Sequence, residues 1–166
     1  MRRSTALMSV AAVAFMASTA FAQAKPDFAG TWNQVQDPNA AAAAGGGRGR
    51  GGGGGIGSPA TITQDAKTLT IKTTRGANEI TTVYNLDGSD SKNTPPGRGG
   101  AAGMVQVSHA KWDGAILVVT RSMDMNGTAM EFTTKFSLDT SGSLWVESIR
   151  PGQDGAPMST KTQYKK

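Results

Sequence analysis

The chain has no cysteine and only one histidine, His109. The first absence excludes disulfides, thiol nucleophiles and thiolate metal sites. The second leaves imidazole chemistry with one candidate and no partner, too little to define a metal site or a serine-hydrolase base. Carboxylates are scarce as well, twelve in 166 residues. Asp65, Asp87, Asp113, Asp139 and Asp154 stand in turn signals, and Asp124 sits beside the turn Asn126-Gly127. Only Glu79, Glu131 and Glu147 fall in strand-like runs, and nothing pairs two of them as acid and base. From Phe28 onward no sustained helical period is present. These shortages put an enzyme third among the function classes, with no catalytic residue, metal or cofactor expected.

What is present begins with an address. Arg2 and Arg3 precede an alanine-rich apolar stretch that ends on two small-x-small sites, Ala20-Phe21-Ala22 and Ala22-Gln23-Ala24. This is the layout of a secretory signal, residues 1–24, cleaved near Ala22 or Ala24. Ser4, Thr5, Ser9, Ser18 and Thr19 dilute the run, and Lys25-Pro26-Asp27 follows at once, unlike an uncleaved membrane anchor. With no cysteine to carry a lipid, the expected product is a soluble periplasmic or secreted monomer without a membrane anchor. Cleavage lowers the formal charge from +5 to +3. Three further arginines, Arg48, Arg50 and Arg98, lie in glycine-rich stretches. The folded part is therefore close to neutral, and nucleic acid is not an expected partner despite the basic total.

Residues 25–166 read as one all-β domain. Phe132, Thr134, Phe136 and Leu138 alternate with Glu131, Thr133, Lys135 and Ser137, one apolar face against one wet face. Ile80, Thr82, Tyr84 and Leu86 repeat the device. Asp-Gly and Asn-Gly pairs punctuate the runs and supply the positive φ that tight hairpins require. Nine strands are expected: Gly30–Gln36, Ala60–Gln64, Thr68–Thr74, Glu79–Leu86, Met104–Trp112, Ala115–Ser122, Ala129–Leu138, Ser143–Ile149 and Met158–Lys165. Short connections favour an antiparallel up-and-down meander. Such a sheet closes into a small barrel or folds over as a flattened sandwich, and closure is the preferred expectation. Residues 38–59, rich in alanine, glycine and arginine, and residues 91–103, rich in glycine and proline, bury too little apolar surface to order and read as mobile loops. The first invites an RNA-binding or phosphate-loop reading, but it lacks the Gly-Lys-Ser/Thr ending and the helix that the latter needs.

Gly30-Thr31-Trp32 resembles the glycine-x-tryptophan signature that opens calycin barrels, the lipocalins and fatty-acid-binding proteins. The segment ITQDAKTLTIKTTRGANEITTVYNL is similar to the paired strands of a fatty-acid-binding protein, and KWDGAILVVTR to that family's KWDG hairpin. The resemblance implies a calycin-like barrel with Gly30 and Trp32 as structural signature. It also implies an inward arginine at Arg121 that grips an acidic headgroup. The pattern departs in two places. The alanine/glycine tract stands where those carriers place a helical lid, and Tyr164 is preceded by Thr162 where they have arginine, with Lys161 one residue out of register.

The residues themselves leave Arg121 open. It shares parity with Leu117 and Val119, but the opposite face, Ile116 and Val118, is equally apolar. If Arg121 points inward it needs an anionic partner, a ligand or a carboxylate. Trp112 reads as a hairpin packing residue or a portal-side ligand contact, Tyr164 as a further ligand contact, and the side of Trp145 is undecided. The leading expectation is a lipocalin-like binding protein for a small apolar or amphipathic ligand. The alternative is a solid-core structural or interaction protein acting through its surface and loops. An interior void of roughly 300 Å3 or more would separate the two.

Overall fold

The computed structural model describes residues 24–36, 55–76, 78–97, 103–125, 128–152 and 155–166. Residues 1–23, which hold nearly all of the expected signal, most of the alanine/glycine tract and residues 98–102 lie outside the described residues. Among the described residues ten strands form one sheet: β1 (Gly30–Gln34), β2 (Ala60–Gln64), β3 (Thr68–Arg75), β4 (Asn78–Asn85), β5 (Asp90–Asn93), β6 (Gln106–Asp113), β7 (Ile116–Met125), β8 (Thr128–Leu138), β9 (Leu144–Pro151) and β10 (Pro157–Lys165). Every pairing is antiparallel, in the order β4-β3-β2-β1-β10-β9-β8-β7-β6-β5, so the first and last strands lie side by side. The protein is an all-β up-and-down meander.

The main-chain ladder does not close. β4 and β5 are consecutive and joined by the short turn at Asp87-Gly88, yet no backbone register links them. Side chains span the seam instead. Asn93 accepts from the Val83 N–H through Oδ1 and donates through Nδ2 to the Val83 carbonyl, at 2.8 and 2.9 Å. Ser91 Oγ accepts from the Asn85 N–H and Asn85 Nδ2 donates to the Asp90 carbonyl, each at 2.8 Å. The sheet thus curls until its two edges meet, but it is an open sheet folded over on itself rather than a continuously closed ladder. β5 also lies partly within the stretch that composition marks as a mobile loop. Its four residues contain no apolar side chain, and they are held by pairing with β6 and by these polar bridges.

Alternation sets the inner face. Ile62, Leu69, Ile71, Ala110, Leu117, Val119, Phe136 and Val146 are all buried and pack in one cluster with Phe28, Trp32 and Tyr164. Turns stabilised by aspartate gather at one end. Asp65 Oδ1 accepts from the Lys67 and Thr68 N–H groups, Asp87 Oδ1 from the Ser89 N–H, and Asp139 Oδ1 from the Ser141 and Ser143 N–H groups. At the β6–β7 hairpin Gly114 has φ of 59°, a conformation that costs glycine little and other residues more.

The segment before β1 seals this same end. Phe28 is fully buried, its N–H bonded to Gln64 Oε1 at 3.1 Å, and its ring stacks on Trp112 at 5.8 Å with an interplanar angle of 7°. Trp32 is also fully buried and donates its indole N–H to the Phe28 carbonyl at 2.8 Å. Lys166 Nζ lies 4.9 Å from the Trp32 ring centroid. Gly30 has φ of 143°, and a Cβ there would run into the Lys166 side chain. The backbone conformation is the constraint that places glycine two residues before this tryptophan, since the end of the Lys166 side chain can move aside.

Candidate ligand cavity

The end opposite the aspartate turns is not filled. A cavity of about 630 Å3 lies between the inner faces of β3 to β9, bordered by Gly55–Gly57 and by Pro95 and Pro96. It exists because the large side chains are unevenly distributed along the inner face. Near the turns the inward positions carry Trp32, Leu69, Trp112, Leu117 and Leu144. Further along, the inward positions of β4 and of β6 to β9 become Thr82, Ser108, Arg121, Thr134 and Ser148, and the serines and threonines fill less volume. The apolar contribution comes from Ile71, Ile80, Tyr84, Val119, Phe132 and Phe136.

Arg121 belongs to this wall. Its register neighbours are Ser108 on β6 and Phe132 on β8, which settles the parity left open by two equally apolar faces. Arg121 Nη1 donates to Gln106 Oε1 at 2.6 Å, and the guanidinium carbon stands 5.2 Å from the Phe132 ring centroid. Arg121 Nε is buried without a hydrogen-bond partner. Among the described residues no carboxylate lies within ion-pair distance of the guanidinium, and the wall contains no aspartate or glutamate. Burial pushes the Tyr84 phenol up, with the positive charge of Arg121 opposing it in part. A second guanidinium, Arg150, lies on the wall two residues beyond Ser148 and is exposed.

The other residues singled out from sequence are elsewhere. Trp112 is at the packed end, stacked on Phe28 with Lys25 Nζ 5.5 Å above its ring, and its indole N–H is buried without a partner. Tyr164 is fully buried and does not line the cavity. Its hydroxyl accepts from the Ile56 N–H at 2.9 Å, which anchors the segment entering β2. Burial raises the Tyr164 phenol, opposed by backbone donors at Ile56 and Gly57. Lys161 points outward, 4.9 Å from the Trp145 ring, so Trp145 is on the outer face too, with its indole N–H on Asp139 Oδ2 at 3.0 Å. Gln106, Ser108, Ser148 and Arg150 were not singled out by sequence. Parity with Trp112 on β6, and with Leu144 and Val146 on β9, is the signal that identifies them.

Among the described residues the histidine and two of the strand glutamates lie apart on the surface. His109 is exposed on the outer face, its Nδ1 3.4 Å from Asp90 Oδ1. Glu79 pairs with Lys72 at 3.5 Å on the surface, and Glu147 accepts from Ser159 Oγ at 2.7 Å. Among the described residues no group of three or more histidine, cysteine, aspartate or glutamate side chains could hold a metal ion. No protein-family model matches the chain, and no curated protein is similar to it.

Proposed function

We propose that this chain is an exported container protein that binds a small amphipathic molecule in the cavity, with an acidic group of the ligand at Arg121. The observation that carries the reading is the void itself: about 630 Å3, within the range of small-molecule sites, inside a chain whose other end is densely packed. A protein acting only through its surface has no need to replace core side chains with threonine and serine along one half of its inner face. The sheet is open between β4 and β5, which favours the folded-over alternative over a closed barrel, and the cavity lies inside the fold all the same. The buried Trp32 beside Gly30 closes the packed end. In this reading the mature chain is a soluble monomer outside the cytoplasm.

The test is native mass spectrometry of the mature protein recovered from its own compartment. The expected spectrum shows a chain beginning at Gln23 or Lys25 and carrying one noncovalent small molecule. Arg121→Ala should release an acidic ligand. A bare chain that takes up no small molecule from an extract of the same compartment would return the surface-acting reading to first place.

A further inference from the structure

We propose that the ligand is a compact aromatic acid bearing ring hydroxyls, rather than a fatty acyl chain. The inference rests on the container reading above and concerns which molecule the cavity selects.

The wall carries hydrogen-bonding side chains among its apolar ones. Ser108 stands opposite Arg121, so β6 and β7 each present a polar group to the void, with Thr134 on β8 and Thr82 on β4. Other polar side chains of the wall are used by the fold itself. Asn93 bridges the seam to Val83, and Thr73 Oγ1 donates to the Pro59 carbonyl at 3.2 Å. A methylene chain laid along this wall would take the polar groups out of water and give nothing back. A ligand with several hydroxyls replaces those lost water contacts.

Aromatic faces are present as well, beside the aliphatic side chains Ile71, Ile80 and Val119. Tyr84 and Phe136 lie 6.4 Å apart with their rings tilted by 56°, and Phe132 lies under the Arg121 guanidinium. Such faces suit one ring packed edge or face on, not an extended tail. Charge completes the selection. Among the described residues Arg121 and Arg150 both contribute to the wall and no acidic side chain does, so their potential is positive and favours an anion.

Calorimetry on the mature protein, stripped by unfolding and refolding, tests this with four probes: 3,4,5-trihydroxybenzoate, its methyl ester, benzoate and palmitate. The trihydroxy acid should bind at least about tenfold more tightly than the ester or benzoate, the scale of one lost charge-assisted or buried polar contact. R121Q should remove that preference for acid over ester. R150Q, at an exposed position, should weaken acid binding by a few-fold while leaving the thermal melting point unchanged, so that a folding defect in R121Q cannot carry the result. Palmitate binding as tight as the trihydroxy acid would overturn this proposal and leave the container reading standing. So would a co-purified molecule without an aromatic ring. Failure of all four probes, together with a bare native protein, would remove both.

Discussion

Arg121 and Gln106 meet across the β6–β7 ladder, the guanidinium Nη1 donating to the amide Oε1 at 2.6 Å. The partner is a neutral amide, so the charge is oriented without being neutralised. A partly buried charge held this way adds little net stability, because its desolvation offsets the contact it makes. Arg121→Leu should therefore change the unfolding free energy by no more than about 1 kcal/mol. The lost amide contact and the cation–π contact with Phe132 are offset by relief of the desolvated charge. Urea denaturation at neutral pH measures this. A loss beyond about 3 kcal/mol, the scale of breaking a buried ion pair, would mark Arg121 as a structural clamp instead.

Two tryptophans at the packed end should respond unequally to the same change. Trp32→Phe removes the donor to the Phe28 carbonyl and leaves a gap in a fully buried site, with an expected cost of about 2–4 kcal/mol. Trp112→Phe keeps an aromatic ring against Phe28 and deletes an indole N–H that has no partner, so its effect should stay within about 1 kcal/mol. Parallel denaturation of the two variants reads the difference, and equal losses would contradict this placement of the two rings.

Asn93 makes two of the four side-chain bridges described across the β4–β5 seam. Asn93→Ala strips both the N–H and the carbonyl of Val83 of their partners, which should cost about 1–3 kcal/mol. Amide exchange at Val83 and Asn85 should speed up while exchange in β7 and β8, interior to the ladder, stays slow. Uniform acceleration across the sheet would show that the seam does not open independently.

How much of this was legible beforehand depends on whether a contact is local. Alternation placed Phe132 and Phe136 inward, and the short polar turns at Asp65, Asp87 and Asp139 needed only neighbouring residues. Arg121 could not be assigned to a face because both sides of β7 are apolar. Val118 is in fact buried on the outer face, between Lys111 and Lys135 in the register. β5 escaped because Asp-Ser-Lys-Asn has no apolar pattern, and its anchors are side chains reaching to β4. Tyr164 bonds to Ile56, 108 positions away, and no local pattern forecasts that partner. The open ladder is of the same kind. Whether two consecutive strands pair or splay is decided by the curvature of the whole sheet.

Asp139 gives the pH dependence. Its carboxylate is held down from 3.8 to about 2, first by the Ser141 hydroxyl, then by the Trp145 indole N–H and the Ser143 backbone N–H. Because the folded value lies below the unfolded one, its contribution to stability is complete above about 3.8 and is lost as the pH falls through about 2. Asp65 and Asp87 are shifted in the same direction by their own turn donors. The wild-type midpoint in urea should therefore fall between pH 5 and pH 2. Asp139→Asn keeps an acceptor oxygen but carries no charge, so it should be less stable than wild type at pH 5 and approach it near pH 2. The gap between the two curves isolates this carboxylate from the others. If the gap is the same at both pH values, the hydrogen bonds at Asp139 do not prefer its ionised form.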